Sequence, residues 1–427
     1  MHFLVVIIGI ILLLIMIVMK LSPVIALLIS SIITGLLLGM PATKVMTSVS
    51  NGIGNTLGGL VMVLALGAML GRIAEDNGVA QKIVSVLVSA FKKKNIQWAI
   101  LLTGILVGIP LFYNAGFVIL IPLVFTIAAA TGLPVLYLGI PMAASLSVTH
   151  GFLPPHPGPT ALATIFKAGI GKTLLYGMIL SLPIAVIAGI IFPRMIIKLK
   201  TVNTGRNITP DFAEASPTVF KSFVIALLPV FLITAGTIGA AFSNPPHPFF
   251  LFIEDPTIAL LVSVLAALFL LRLPMKAAME TCVTGVKSIA MILLIIAAGG
   301  AFKQILIDSG IGNEISEISS HLHVSALFLG WLITALLRIA LGSATVAALT
   351  ASGIVLPMIG AGVSPELMVI AVGAGSLMGS HVNDTGFWMF KEYFNLSLKQ
   401  TFATWTIMES LISVLGLVGV MVLDLVV

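Results

Sequence analysis

Apolar residues fill this chain in stretch after stretch, near residues 3–19, 22–40, 57–74, 134–149, 173–193, 219–242, 256–271, 285–302, 366–380 and 401–425. Each is close to the ~20 residues a helix needs to cross the hydrocarbon core of a bilayer. Hydrophobic residues make up 59% of the chain and charged ones 8%, too few charges to cover a surface in water. Lipid therefore has to contact most of the outside. In lipid every backbone N–H and C=O must find its partner within the protein, and stretches of this length do so as helices. The expected fold is an all-α integral membrane protein with many spans.

Two further apolar stretches, 97–131 and 325–362, are longer and are interrupted midway. The interruptions are Leu111-Phe112-Tyr113-Asn114-Ala115-Gly116 and Leu341-Gly342-Ser343-Ala344-Thr345. Each half is short, so we read both as re-entrant hairpins; two ordinary spans each is the alternative, since hydropathy does not separate the two. Residues 194–218 look different. They carry Arg194, Lys198, Lys200, Arg206, Asp211, Glu214, Pro210 and Pro217 without apolar periodicity, as a polar linker does.

The linker divides two halves that repeat. Pro41, Met46 and Gly52 align with Pro274, Met279 and Gly285; Asp76 and Gly78 with Asp308 and Gly310; His150 with His381. The separation stays at 231–233 residues throughout. This gives residues 1–193 as a first repeat, 194–218 as a cytoplasmic linker and 219–427 as a second repeat. Positive charge prefers the cytoplasmic side. Placing Lys20, Lys92-Lys93-Lys94, the linker with Lys221, Arg272 with Lys276, and Lys391 with Lys399 inside gives the two repeats opposite orientation, the inverted-repeat architecture of many transporters. Both termini then fall outside, and Lys44, Lys167 and Lys172 lie against the rule.

Charge and motifs exclude several functions. The net charge of +6 comes from short loops between apolar runs, not from a basic stripe, so no nucleic-acid partner is expected. The single cysteine, Cys282, forms no intrachain disulfide. The run from His2 to Met19 ends at Lys20 without a small-residue cleavage site and reads as a retained first span. Gly171-Lys172-Thr173 ends like a phosphate-binding loop, but Phe166 stands where the loop needs its first glycine. The Gly52–Gly59 cluster follows no strand, so it is no dinucleotide fingerprint. Glu75, Asp76, Asp308, Glu314 and Glu317 fall at span ends and read as solvated. His321 and His323 lack further ligands. No metal, cofactor or enzymatic motif is expected; the spacing of His381 and Asp384 is weak support for a catalytic dyad.

Chemistry concentrates where polar, irregular backbone sits at membrane depth. Besides the two hairpin tips these are Thr149-His150-Gly151-Phe152-Leu153-Pro154-Pro155-His156-Pro157-Gly158-Pro159 and Gly379-Ser380-His381-Val382-Asn383-Asp384-Thr385-Gly386. An unsatisfied amide in hydrocarbon costs several kcal/mol, so such backbone persists only where it lines a cavity or meets a ligand. Half-helices starting there aim N–H groups and positive dipole ends at an anion. Asn114, Ser343, Thr345, Asn383 and Thr385 suit a hydroxylated anion, although small residues such as Gly342 and Ser343 also serve tight helix packing. Arg338 either meets a substrate carboxylate or neutralises an internal acid. His150 and His381 either titrate or brace a helix break; His156, among prolines, reads as structural. Asp384 is the best candidate for a proton or cation carrier.

The segments from His150 to Pro159, from Leu337 to Ala347 and from Ser380 to Trp388 resemble the signatures of the gluconate:proton symporter family. Gly67-Ala68-Met69-Leu70-Gly71 and Gly299-Gly300-Ala301-Phe302-Lys303-Gln304 are similar too, and the resemblance runs over essentially the whole chain. It implies a multi-pass permease of the cytoplasmic membrane that takes up gluconate or a related sugar acid with protons, often as a homodimer, with paired re-entrant hairpins. The binding set would be Asn114, Arg338, Gly342, Ser343, Thr345, His381, Asn383 and Thr385, with Asp384 and His150 in proton coupling. Many family members carry a glutamate in the first hairpin tip, where this chain has Asn114, which puts the coupling group in question. Other members handle D-serine or other hydroxy acids. A passive anion channel is the alternative from a different class.

Overall fold

Prolines and glycines punctuate the helices. Pro23, Pro157, Pro248, Pro256 and Pro365 each open a helix at its first turn, where the missing N–H would be unpaired anyway. In the computed structural model, which describes residues 2–58, 60–90, 95–196, 217–243, 247–310, 324–360 and 362–427, every regular element is a helix. Lys92-Lys93-Lys94, most of the 194–218 linker, and Glu314, Glu317, His321 and His323 lie outside the described residues.

The first half contains α1 (His2–Val18), α2 (Pro23–Leu37), α3 (Ala42–Gly58), α4 (Val61–Asp76), α5 (Val79–Ala90), α6 (Ile96–Gly108), α7 (Tyr113–Thr131), α8 (Val135–Phe152), α9 (Pro157–Phe166) and α10 (Ile170–Ile196). The second contains α11 (Val219–Ala241), α12 (Pro248–Glu254), α13 (Pro256–Leu271), α14 (Met275–Asp308), α15 (Ala326–Leu341), α16 (Ala344–Val355), α17 (Pro365–Gly375), α18 (Thr385–Tyr393) and α19 (Leu398–Asp424). Among the described residues five helices are long and apolar enough to cross a bilayer, or up to seven if bent pairs count as single spans. Large apolar side chains such as Ile11, Phe231, Leu265, Phe269 and Val418 point outward, as lipid-facing residues do. The protein is a multi-pass membrane protein.

Elements at matched positions in the two halves pack on each other. The α3–α4 pair starts after Pro41 and α14 after Pro274; they end at Asp76 and Asp308. A Cβ on Gly52 would run into the backbone of Gly300 and Ala301, and one on Gly285 into the backbone of Ala68. Only glycine lets the helices approach this closely, as in small-residue membrane interfaces. At the helix ends Ser48 Oγ donates to Asp308 Oδ2 at 2.5 Å, and Thr281 Oγ1 donates to Asp76 Oδ2 at 3.4 Å. Gln304 holds Asp308 as Arg72 holds Asp76, each from one turn before. Residue 48 thus meets 308, 52 meets 300, 68 meets 285 and 76 meets 281, so the matched helices run antiparallel.

Left-handed residues recur in step. Gly39 (φ 80°) and Arg272 (φ 54°), Gly78 (71°) and Gly310 (78°), Gly132 (69°) and Gly362 (93°), and Lys167 (56°) and Asn395 (49°) occupy corresponding places in the two halves. Most of these residues follow the last turn of a helix, so several helix ends fall at corresponding points in the two halves.

The two interrupted stretches are broken where the sequence breaks them. α6 ends at Gly108 and α7 starts at Tyr113, across Ile109-Pro110-Leu111-Phe112. α15 and α16 meet over Gly342 and Ser343 alone. The third break, Leu153-Pro154-Pro155-His156, separates α8 from α9, and the fourth runs from Ser376 to Asp384.

Candidate functional site

Each of the four breaks ends in a helix N-terminus, and all four N-termini open into one cavity. Tyr113 and Asn114 begin α7, Pro157 begins α9, Ala344 and Thr345 begin α16, and Thr385 and Gly386 begin α18; all line a cavity of about 410 Å³. That volume is in the range of small-molecule sites. Each N-terminus carries roughly half a positive charge from its unpaired N–H groups, so the cavity gathers positive potential from the backbone.

The turn between α15 and α16 is held in shape by its neighbour. Gly342 has φ 76°, and its N–H donates to the Arg338 carbonyl at 3.0 Å, closing α15. A Cβ there would collide with Asn383. Asn383 Nδ2 donates to the Ile339 carbonyl at 2.9 Å, so the fourth break caps the end of α15. Ser343 Oγ accepts from the Val346 N–H at 3.4 Å and starts α16. The break between α6 and α7 is braced similarly. His156 Nε2 lies 2.7 Å from the Gly108 carbonyl oxygen at the end of α6. A carbonyl only accepts, so Nε2 carries the proton.

Charge in the cavity centres on Arg338, which is 2% exposed. Its Nη2 donates to Asp384 Oδ2 at 2.5 Å, while Nε and Nη1 have no hydrogen-bond partner among the described residues. Of the two roles open for Arg338, internal neutralisation is realised, and two donor nitrogens are left over. Asp384 is fully engaged. Its Oδ2 also accepts from Ser380 Oγ at 2.5 Å, and its Oδ1 accepts from the Gly386 N–H at 3.0 Å as the cap of α18. Ser380 in turn accepts from Trp405 Nε1 at 2.8 Å, and Thr406 Oγ1 donates to the Ser380 carbonyl at 2.6 Å. The broken segment is thereby tied to the π-helical turn Phe402–Thr406 of α19.

Of the residues singled out from the sequence, Asn114, His150, Arg338, Gly342, Ser343, Thr345, Asn383, Asp384 and Thr385 line this cavity. His381 does not; its carbonyl accepts the Asp384 N–H and closes the turn before α18. The matched histidines therefore differ, since His150 faces the cavity beside Tyr113 and Ser147. Sequence reading passed over Ser147, Tyr113, Trp405 and above all Glu409. Glu409 lines the same cavity, is 2% exposed, and its Oε1 accepts from Ser147 Oγ. A carboxyl far from either end of the 401–425 apolar run was the available signal.

Comparison with known proteins identifies the family and the fold. The model of the GntP family permeases matches residues 1–426. The high-affinity gluconate transporter of Escherichia coli K12 is 50% identical over 378 residues, covering 86% of this chain and 86% of that protein. The Gnt-II system L-idonate transporter of the same organism is 47% identical, over 86% of this chain and 85% of its own. The gluconate permease of Bacillus subtilis is 44% identical, over 86% and 87%. Among solved structures, the YdaH transporter of Alcanivorax borkumensis superposes with a TM-score of 0.66 at 18% identity over 88% of this chain and 87% of that one. MtrF of Neisseria gonorrhoeae superposes with a TM-score of 0.67 at 16% identity, over 87% and 82%. At those identities the likeness is one of fold.

Proposed function

This chain belongs to the GntP family of permeases, and from that premise we propose that it carries gluconate or a closely related sugar acid into the cell together with protons. It is a transporter of the cytoplasmic membrane and not an enzyme. The observation that carries the substrate reading is the convergence of four helix N-termini on a cavity where Arg338 Nε and Nη1 have no partner among the described residues. A carboxylate fits that environment: charge-assisted bonds to guanidinium and to helix-start N–H groups are the strong ones. Asn114, Ser343, Thr345 and Thr385 supply the hydroxyl and amide groups that a polyhydroxylated chain needs, and Asn383 and Gly342 shape the wall. The relatives named for gluconate and L-idonate support the sugar-acid class.

The transport cycle we propose rests on the paired architecture. Antiparallel packing of α3–α4 on α14 and the recurring left-handed caps support two inverted repeats, 1–193 and 219–427, joined by a cytoplasmic linker. The broken segments, two of them re-entrant, would carry the substrate past a static scaffold formed by the first spans of each half, which would also make a homodimer interface. Proton coupling falls to the titratable groups of the cavity, of which the sequence offered Asp384 and His150.

Purified protein in proteoliposomes, with labelled gluconate and an acidic exterior, tests this. Saturable uptake that accumulates with the pH gradient and is competed by L-idonate is expected. Competition by D-serine with none by gluconate would make the chain a small hydroxy-acid carrier. Uptake that neither saturates nor responds to the gradient would make it a passive anion channel.

A further inference from the structure

The cavity contains a carboxyl group that the binding chemistry leaves unused. Glu409 comes from the middle of α19, three residues after a π-helical turn, a feature frequent at functional sites. It is 2% exposed and lines the cavity. Its hydrogen bond is to Ser147, from the buried face of α8 one turn before His150. Among the described residues it joins no ion pair, whereas the other cavity acid, Asp384, is paired with Arg338.

The charge count in the cavity then decides which acid can change state. Asp384 accepts from Arg338, Ser380 and the Gly386 N–H at once. Its carboxyl group is at once the counter-charge of Arg338 and the cap of α18, so its role is already taken. An incoming carboxylate adds one negative charge to a balanced pair. A second negative charge on Glu409 would leave three carboxylates facing one guanidinium and the partial charges of the helix N-termini, and like charges in a low-dielectric site disfavour one another's ionisation. Binding of the anion therefore favours a proton on Glu409. Groups facing it across the cavity are Arg338 from α15, Asp384 from the start of α18, His150 from α8 and Tyr113 from α7. α10 and α17, which also pack on α19, bring no titratable side chain to the cavity lining.

We propose that Glu409 is the group that carries the coupled proton. It takes the proton onto a carboxyl oxygen from external water as the anion settles beside Arg338, and returns it to cytoplasmic water when the anion leaves. Ser147 is a positioning residue: its hydroxyl holds the carboxyl toward the cavity. Asp384 stays paired with Arg338 throughout. This rests on the proton-coupled reading above and names its carrier.

The full-length protein in proteoliposomes separates the two ideas. A gradient of one pH unit supports about tenfold accumulation per coupled proton. Wild type is expected to accumulate gluconate across such a gradient; if it equilibrates without accumulating, the proton-coupled reading fails, and the carrier with it. With wild type accumulating, Glu409→Gln is expected to bring the internal-to-external ratio down to about one while gluconate counterflow persists at a reduced rate. A Glu409→Gln ratio equal to wild type overturns the carrier and leaves the symport reading standing. Should Glu409→Gln lose counterflow as well, Ser147→Ala decides, because it keeps the carboxyl and removes its hydrogen bond. Gluconate binding by Ser147→Ala, titrated in buffers of different ionisation enthalpy, is expected to take up its proton over a different pH interval from wild type. An unchanged interval overturns the proposal.

Discussion

Arg338 Nη2 stands 2.5 Å from Asp384 Oδ2, joining the last turn of one half of a hairpin to the break before α18. The bond does two things at once: it offsets a buried cation and holds the end of α15 against the break before α18. Removing the acid strands the cation, and breaking a buried pair from one side costs about 3–5 kcal/mol. Asp384→Asn is therefore expected to lower the thermal midpoint of the detergent-purified protein and to abolish counterflow. Arg338→Gln removes donors to the substrate as well as the pair. Charge-assisted hydrogen bonds are worth about 1.5–3 kcal/mol, which is a rise of about 10- to 100-fold in half-saturating gluconate. Half-saturation unchanged in Arg338→Gln would leave that residue a purely structural role.

Gly342 tests whether the tip of the second hairpin is part of the site. Its φ of 76° is left-handed, and a methyl group would strike Asn383. Gly342→Ala is expected to cost about 1–3 kcal/mol of local strain and to cut counterflow strongly while protein still reaches the membrane. Gly54, within α3, has open space around its missing Cβ. Gly54→Ala is the control, expected to transport as wild type does. Equal transport by both variants would show that the tip tolerates displacement.

His156 is assigned to structure, and that assignment has its own measurement. The bond from Nε2 to the Gly108 carbonyl ties the break between α8 and α9 to the end of α6. His156→Ala leaves that carbonyl without its partner, at a cost of about 1–3 kcal/mol in a dry site. The thermal midpoint should fall, and His156→Gln, which offers an amide donor, should recover part of the loss. The pH dependence of gluconate accumulation should be the same in His156→Gln as in wild type. A shifted dependence would place His156 in the proton path.

The sequence disclosed the breaks better than the charges. Consecutive prolines at Pro154 and Pro155 and the Gly342-Ser343 pair announce themselves because no helix continues through them. Eight of the residues read from the broken segments line the cavity, since a break at membrane depth must face something polar. His381 misled because a matched position in a repeat fixes the backbone and not the direction of the side chain. Glu409 was passed over for the opposite reason: it lies in unbroken apolar sequence, and only packing of α19 against α8 brings Ser147 to it. Pairing of Arg338 with Asp384 across 46 residues is likewise a tertiary fact, so a sequence reading had to leave both roles of Arg338 open.

Ala42 and Met275 begin matched helices 233 residues apart and both are exposed. Contacts of α3–α4 with α14 run in opposite directions along the chain, from Ser48 with Asp308 at one end to Asp76 with Thr281 at the other. Long antiparallel helices at membrane depth put their first residues on opposite sides of the bilayer. In a Cys282→Ser background, Ala42→Cys is expected to react with a membrane-impermeant thiol reagent added outside intact cells. Met275→Cys is expected to react only after the cells are opened, because Arg272 and Lys276 hold its end in the cytoplasm. Labelling of both cysteines from the same side would mean that the halves are threaded in parallel, and the shared cavity between four helix N-termini would then need another route to both faces of the membrane.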